Sequence, residues 1–263
     1  MTTRTYHIGT MGWSYDDWRG PFYPPKAQAR DYLAAYAEHF GVVEVDSSFY
    51  GMPRPEIIRR WCKVTPDEFR FTLKCPQEIT HERGLVGIED VLPAYGEMLS
   101  LFEDKLGMFL FQFPPSFRAR EIVRVKRLFD LLATGNLSRL PVAVEFRHPS
   151  WLAAGAPALA AEYGVTWAVT DLLPELHETS ERFYLRLIGD NSRDIPFDRV
   201  VFDVEAPTVD WAGRLRELSP KVREVYAFIN NHYSGHSPAT ASRLRQLLGL
   251  DAVMIRRQGT LFD

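Results

Sequence analysis

Residues 107–146, GMFLFQFPPSFRAREIVRVKRLFDLLATGNLSRLPVAVEF, decide the fold. They open on a short apolar run at 107–112 and close on another at 141–146, both of strand length and rich in β-branched or aromatic residues. The segment between them, 120–134, reads with helical period. Strand, helix and strand in this order make a βαβ unit, which places both strands in a parallel sheet. The cores of the two runs, Phe109-Leu110-Phe111 and Val142-Ala143-Val144, are continuous rather than alternating, as strands covered on both faces require.

Working outward, the same alternation repeats along the chain. Strands are predicted at 6–11, 42–46, 69–75, 107–112, 141–146, 165–170, 183–188 and 224–230. Helices are predicted at 28–40, 55–63, 90–104, 120–134, 151–163, 208–219 and 237–248, with start signals at Pro55, Ser150 and Ser237-Pro238. The segment from Leu172 to Arg182 is too short and too acidic for a full crossover. Eight strands in 263 residues predict a single (β/α)8 TIM-type barrel spanning 1–263, with an abbreviated sixth crossover and a short C-terminal tail at 256–263. A doubly wound open sheet is the structural rival, but the loop after the first strand, Gly9-Thr10-Met11-Gly12-Trp13, is no GxGxxG phosphate cradle.

Composition narrows the setting. With 46% hydrophobic and 25% charged residues, the chain is that of a folded globular protein. The formal net charge of −3 supplies no general attraction to nucleic acid or an anionic membrane, so such binding would need a local patch. No stretch reaches the roughly 18 apolar residues of a membrane span, and the first residues lack a secretory apolar run, so a cytoplasmic location is expected. Cys62 and Cys75 form no CxxC pair and are expected to be reduced, buried and inert.

In a (β/α)8 barrel the chemistry sits at the carboxyl ends of the strands. There the sequence offers Trp13; Glu44, Asp46 and Ser48; Lys74; Gln112; Glu145, Arg147 and His148; Asp171; Arg186; and Asn230, Asn231 and His232. Any one of these can be a solvated rim residue. Glu44, Lys74, Glu145, Arg186 and Asn230, however, lie in or at the tips of apolar strands, where an unpaired charge costs several kcal/mol, so mutual pairing around a ligand pocket is expected. Glu44 and Glu145 can serve as acid and base, with Lys74 and Arg186 stabilising negative charge. The carboxylates and imidazoles of Glu44, Asp46, His81, Glu145, His148, Asp171 and His232 would suffice for a divalent metal, but no HExxH, HxH or DxD spacing supports one, and no cofactor is expected.

The aromatic segments Trp13–Tyr23 and Ser47–Pro53 follow the first two strands. Both admit two readings, a stacking surface for sugars or bases or a packed hydrophobic lid, with Arg19 and Arg54 within reach of phosphates in the first. Arg120, Arg124 and Arg127 recur at helical spacing, the pattern of a solvated outer face.

The segments IGTMGWSYDDWRGPFYP, VVEVDSSFYGMPRP, FRFTLKCPQEITH, LGMFLFQFPPSF, VAVEFRHPSW and FINNHYSGHSPATA together resemble the domain of unknown function 72 proteins, the YecE-like family. The resemblance implies a TIM-type barrel. It carries motif positions onto Gly12, Trp13, Glu44, Ser47, Ser48, Tyr50, Lys74, His81, Gln112, Glu145, Arg147, His148, Trp151, Asn230 and Asn231, whereas Asp171 and Arg186 fall in the part that matches least. Barrels of this family have been compared with metal-dependent DNA-repair endonucleases and sugar isomerases, but the histidine-rich metal pattern of those nucleases is missing here.

Taken together, the expected function is binding of, or action on, a phosphorylated or polyhydroxylated ligand at the barrel mouth, nucleic acid included. A non-catalytic binding module and a metal-dependent hydrolase or isomerase are the alternatives. Expected partners are a small anionic or sugar-like ligand or nucleic acid, with no membrane. The tail Gln258-Gly259-Thr260-Leu261-Phe262-Asp263 resembles peptides that bind the bacterial sliding clamp, with Gln258 as polar anchor and Leu261 and Phe262 as apolar plug.

Overall fold

In a barrel strand, successive side chains point alternately into the barrel and out toward the helices, so a strand buried on both sides must be apolar on both. The computed structural model describes residues 4–253 and shows this arrangement in full. Strands β1 (Thr5–Met11), β2 (Val42–Val45), β3 (Arg70–Lys74), β4 (Leu106–Gln112), β5 (Val142–Glu145), β6 (Thr166–Thr170), β7 (Arg182–Leu187) and β8 (Glu224–Ile229) pair in parallel, each with the next. β8 then pairs with β1, Thr5 opposite Glu224 through Thr10 opposite Ile229, and closes the barrel.

The inward positions follow the two-residue period. Met108 and Leu110 of β4, Ala143 of β5, Ala168 of β6, Tyr184 of β7 and Phe228 of β8 fill the barrel with Met11, Val42, Ile188 and Tyr226. The outward positions, among them Phe109, Phe111, Val144, Val169 and Leu185, join the larger core between strands and helices. Helix α4 (Ile122–Leu132), introduced by the opening stretch, shows how the outer layer is held. Its buried residues Val125, Leu128, Phe129 and Leu132 stand at i, i+3, i+4 and i+7 on one face, and each contributes roughly 1.5–3 kcal/mol by leaving water. Its other face carries Arg124, Lys126 and Arg127, which pair with Glu121, Asp130 and Glu89.

The remaining helices are α1 (Tyr32–Ala37), α2 (Pro55–Val64), α3 (Leu92–Ser100), α5 (Ser150–Ala153), α6 (Ala156–Glu162), α7 (Glu205–Arg216), α8 (Asn231–Ser234) and α9 (Ser237–Leu247). Between β6 and β7 the chain has no helix, so the sixth crossover is the abbreviated one. Three expectations need correction. The helix predicted at 151–163 is split, because Gly155 adopts φ +71°, a left-handed conformation that ends α5 and starts α6 at Ala156-Pro157. The helix predicted at 208–219 begins earlier, at Glu205, since Pro207 in the first turn has no interior hydrogen bond to lose. Finally, Cys75 is buried but Cys62 is only half-buried. Burial raises the pKa of both thiols, which disfavours the reactive thiolate.

No helix among the described residues is long and apolar enough to cross a membrane. The clamp-like tail lies outside the described residues.

Candidate functional site

Period 2 along β2, β5 and β7 sends Glu44, Glu145 and Arg186 into the same layer of the barrel, near its carboxyl end. All three are essentially inaccessible to solvent. Arg186 lies between the two carboxylates. Its Nε donates to both oxygens of Glu44 at 3.1 and 3.0 Å, its Nη2 donates to Glu44 Oε1 at 2.7 Å, and its Nη1 donates to Glu145 Oε2. Arg147 closes the other side, its Nε donating to Glu145 Oε1 at 2.7 Å. From one layer below, Tyr184 donates its hydroxyl proton to Glu44 Oε2 at 2.6 Å and lies 3.1 Å from the Thr72 hydroxyl.

The two carboxylates are pushed apart. Burial raises Glu44, and nearby Asp46 adds to the effect, outweighing Arg186 and Tyr184. Glu145 also suffers desolvation, but the Arg186 and Arg147 guanidiniums overcome it and hold the group at about 2.

Above this triad is the rim. Asp46 Oδ1 sits 3.5 Å from Arg186 Nη2, is itself buried, and accepts no hydrogen bond from any described residue. Lys74, the last residue of β3, projects its Nζ to 4.0 Å from the centre of the Phe49 ring. Unlike the paired lysine expected from the sequence, it forms no ion pair or hydrogen bond with a described residue. Burial lowers its pKa, Arg186 lowers it further, and Asp46, Glu145 and Glu44 oppose the shift. His81, on the π-helical turn Glu78–Glu82 that follows β3, sets its ring edge-on to Phe49 at 4.8 Å. Burial, then Lys74 and Arg147, lower its pKa and favour the neutral imidazole. Beside Asp46, the β1 and β2 loops enclose a cleft of about 190 Å³ between Trp13, Tyr15 and Ser47.

Other sequence candidates hold the mouth together without facing it. Ser48 donates to the carbonyls of Val45 and Lys74, tying the second loop to the third strand. Trp151 is fully buried, donates to the Phe117 carbonyl at 2.8 Å and stacks on Phe146. His148 bonds Ser150 at the start of α5, and Asn230 caps α8 through the backbone N–H of His232. Asn231 accepts from Trp18 and Ser237, while Gln112 donates to the Phe113 carbonyl. Tyr50 is 81% exposed, so only part of the second aromatic segment faces solvent, whereas Trp18, Phe22 and Tyr23 of the first are packed.

Asp171 accepts the backbone N–H groups of Ile188 and Gly189, which turns the chain out of β7. Gly189 has φ +71°, and a Cβ there would lie 2.4 Å from the Tyr233 Cα. Gly189→Ala is therefore expected to destabilise by about 2–3 kcal/mol, readable as a lower urea midpoint with an unchanged slope; an unchanged midpoint would show that the turn relaxes freely.

Sequence reasoning missed Tyr184, Thr72 and Phe49. Tyr184 was detectable as the residue two before Arg186, on the same face of the same strand. Phe49 matters only because the 3-10 turn at Asp46–Phe49 folds its ring under Lys74, which no spacing announces.

The donor set does not suit a metal. Among the described residues no three carboxylate, imidazole or thiol groups are arranged to hold one, and the space between Glu44 and Glu145 is taken by the Arg186 guanidinium.

Residues 7–260 match the family described as protein of unknown function DUF72. The chain is 28% identical to UPF0759 protein YunF of Bacillus subtilis (strain 168), over 93% of this chain and 95% of that protein. It is 30% identical to UPF0759 protein YecE of Escherichia coli (strain K12), a match that covers 57% of this chain and 51% of YecE. The crystal structure of a DUF72 family protein from Thermotoga maritima superposes with a TM-score of 0.78 at 26% identity, over 93% of this chain and 99% of that one. A DUF72 family protein from Enterococcus faecalis superposes with a TM-score of 0.75 at 20% identity, over 95% and 100%.

Proposed function

The chain belongs to the DUF72 family, whose description assigns no activity, and from its barrel mouth we propose that it binds a phosphorylated or polyhydroxylated small molecule there and acts on it by proton transfer. One observation carries this reading. Asp46 Oδ1, a buried acceptor at the carboxyl end of the barrel, has no hydrogen-bond partner among the described residues, and the half-buried Lys74 of the next strand rests its Nζ on the Phe49 ring. Buried polar groups are ordinarily satisfied, and leaving one unmade costs about 1–3 kcal/mol, so a ligand that supplies a hydroxyl to Asp46 and an anionic or carbonyl oxygen to Lys74 completes the site.

Glu44 and Glu145 take a supporting role in this reading. Glu145, held at about 2, is too weak a base for neutral pH, and Glu44 is occupied by Arg186 and Tyr184. Together they hold Arg186 under Asp46. Lys74 and His81, whose pKa values burial lowers, are the groups that this reading assigns to proton transfer. A small ligand is favoured over nucleic acid because the arginines of α4 are already paired with acidic neighbours on the surface.

Calorimetric titration of the purified protein with glycerol 3-phosphate, ribose 5-phosphate, ribitol and inorganic phosphate tests the reading. Lys74→Met and Asp46→Asn are each expected to weaken binding at least tenfold, a loss of about 1.4 kcal/mol, while urea unfolding stays within about 1 kcal/mol of the parent. Equal affinity in parent and both variants would move the ligand site away from the mouth, and binding without turnover would make it a recognition module.

A further inference from the structure

We propose that Lys74 is an imine-forming lysine and that the ligand of the mouth presents an open-chain aldehyde or ketone. This rests on the mouth being the ligand site and specifies its substrate class. A lysine placed only for its charge would pair with a carboxylate, and Glu44 and Asp46 stand at the end of the adjacent β2 while Glu145 ends β5, two strands away. Arginines take Glu44 and Glu145 instead. Lys74 rests on Phe49, whose ring attracts the ammonium but cannot accept its proton.

The surroundings lower the pKa of the amine, which raises its share of the nucleophilic free base. Burial disfavours the ammonium, Arg186 on β7 repels a second cation, and the three carboxylates only partly offset them. His81, neutral and in contact with the same Phe49 ring, is placed to move protons beside the amine.

In the reaction the amine lone pair forms a C–N bond as the carbonyl π electrons move to oxygen, which takes up a proton while nitrogen loses one. The resulting carbinolamine hydroxyl is protonated and departs as water as the nitrogen lone pair forms C=N. Hydrolysis reverses these steps, so no oxidant or reductant is consumed. The iminium is an electron sink for proton removal at the adjacent carbon, the chemistry of an isomerase or an aldol cleavage.

Trapping with sodium cyanoborohydride tests the assignment. The full-length protein is incubated at pH 7 with dihydroxyacetone phosphate or glycolaldehyde phosphate, and each lysine is followed by peptide mass mapping. Lys74 is expected to acquire the reduced adduct at least tenfold faster than Lys126 or Lys221, and the excess should shrink as the pH approaches 10. Lys74→Arg should abolish that adduct and keep the fold. Labelling of Lys74 no faster than of Lys126 and Lys221 overturns the imine. If glycerol 3-phosphate, which has no carbonyl, still binds in a Lys74-dependent way, the ligand site survives that failure; if it does not, both readings fall.

Discussion

Replacing Arg186 by Met is expected to cost about 3–5 kcal/mol of unfolding free energy, the largest effect of any single substitution at the mouth. The reason is what remains behind. Glu44 and Glu145 are both fully buried, and without the guanidinium Glu44 keeps only Tyr184 and Glu145 only Arg147. The cost therefore measures two stranded carboxylates more than the ion pairs themselves. The triple variant Glu44→Gln, Glu145→Gln, Arg186→Met should recover a large part of the loss, because neutral amides need no counter-charge. Urea denaturation of parent, single and triple variants separates the cases. A triple variant no more stable than Arg186→Met would show that the guanidinium acts through packing against Met11 and its neighbours.

Acidification is expected to remove about 3 kcal/mol of stability through Glu145 alone, which is the depression from 4.5 to about 2 expressed as free energy. The sign follows from the direction of the shift. A carboxyl whose folded pKa lies below its unfolded value contributes stability that is present above the unfolded value and is lost as the pH falls toward the folded one. The window is therefore about 4.5 down to 2. Glu44 runs the other way: its raised folded pKa gives stability that is present below the ordinary carboxyl range and lost as the pH rises through its folded value, so it does not cancel Glu145 within that window. Surface carboxylates lowered by their partners, such as Glu205 beside Arg243, contribute equally in parent and variant. Unfolding free energies measured from pH 7 to 2.5 should fall more steeply for the parent than for Glu145→Gln. Parallel curves would place the acid sensitivity elsewhere.

Much of this molecule was legible along the chain. Short apolar runs and intervening helical periods marked eight strands within a residue or two of their observed ends, because a strand buried on both faces has no other composition open to it. The short acidic segment after Thr170 declared the helix-free crossover. Glu44, Glu145 and Arg186 stood out as charges inside apolar strands, and their pairing followed from the cost of leaving them unpaired. Helix ends were less legible, since Gly155 and Pro207 act through local backbone geometry that periodicity does not record.

The division of labour among the polar residues was a different matter. His148, Asp171 and Asn230 follow strand ends as Lys74 and Asp46 do, yet each is spent on a cap or a turn, and Asn231 spends its Oδ1 on Trp18 and Ser237 while its buried Nδ2 has no partner among the described residues. Residue type alone does not separate the two groups, because bonds such as that from Ile188 to Asp171 join the ends of adjacent strands and are facts of three dimensions. Phe49 beneath Lys74 is a contact between adjacent strand ends, and Tyr184 beneath Glu44 is one across the barrel. The sequence by itself determined the barrel and the charges within it, since burial of apolar and ionised groups is governed by composition and period. Only the tertiary structure decided which polar atoms are satisfied by the protein and which, among the described residues, are not.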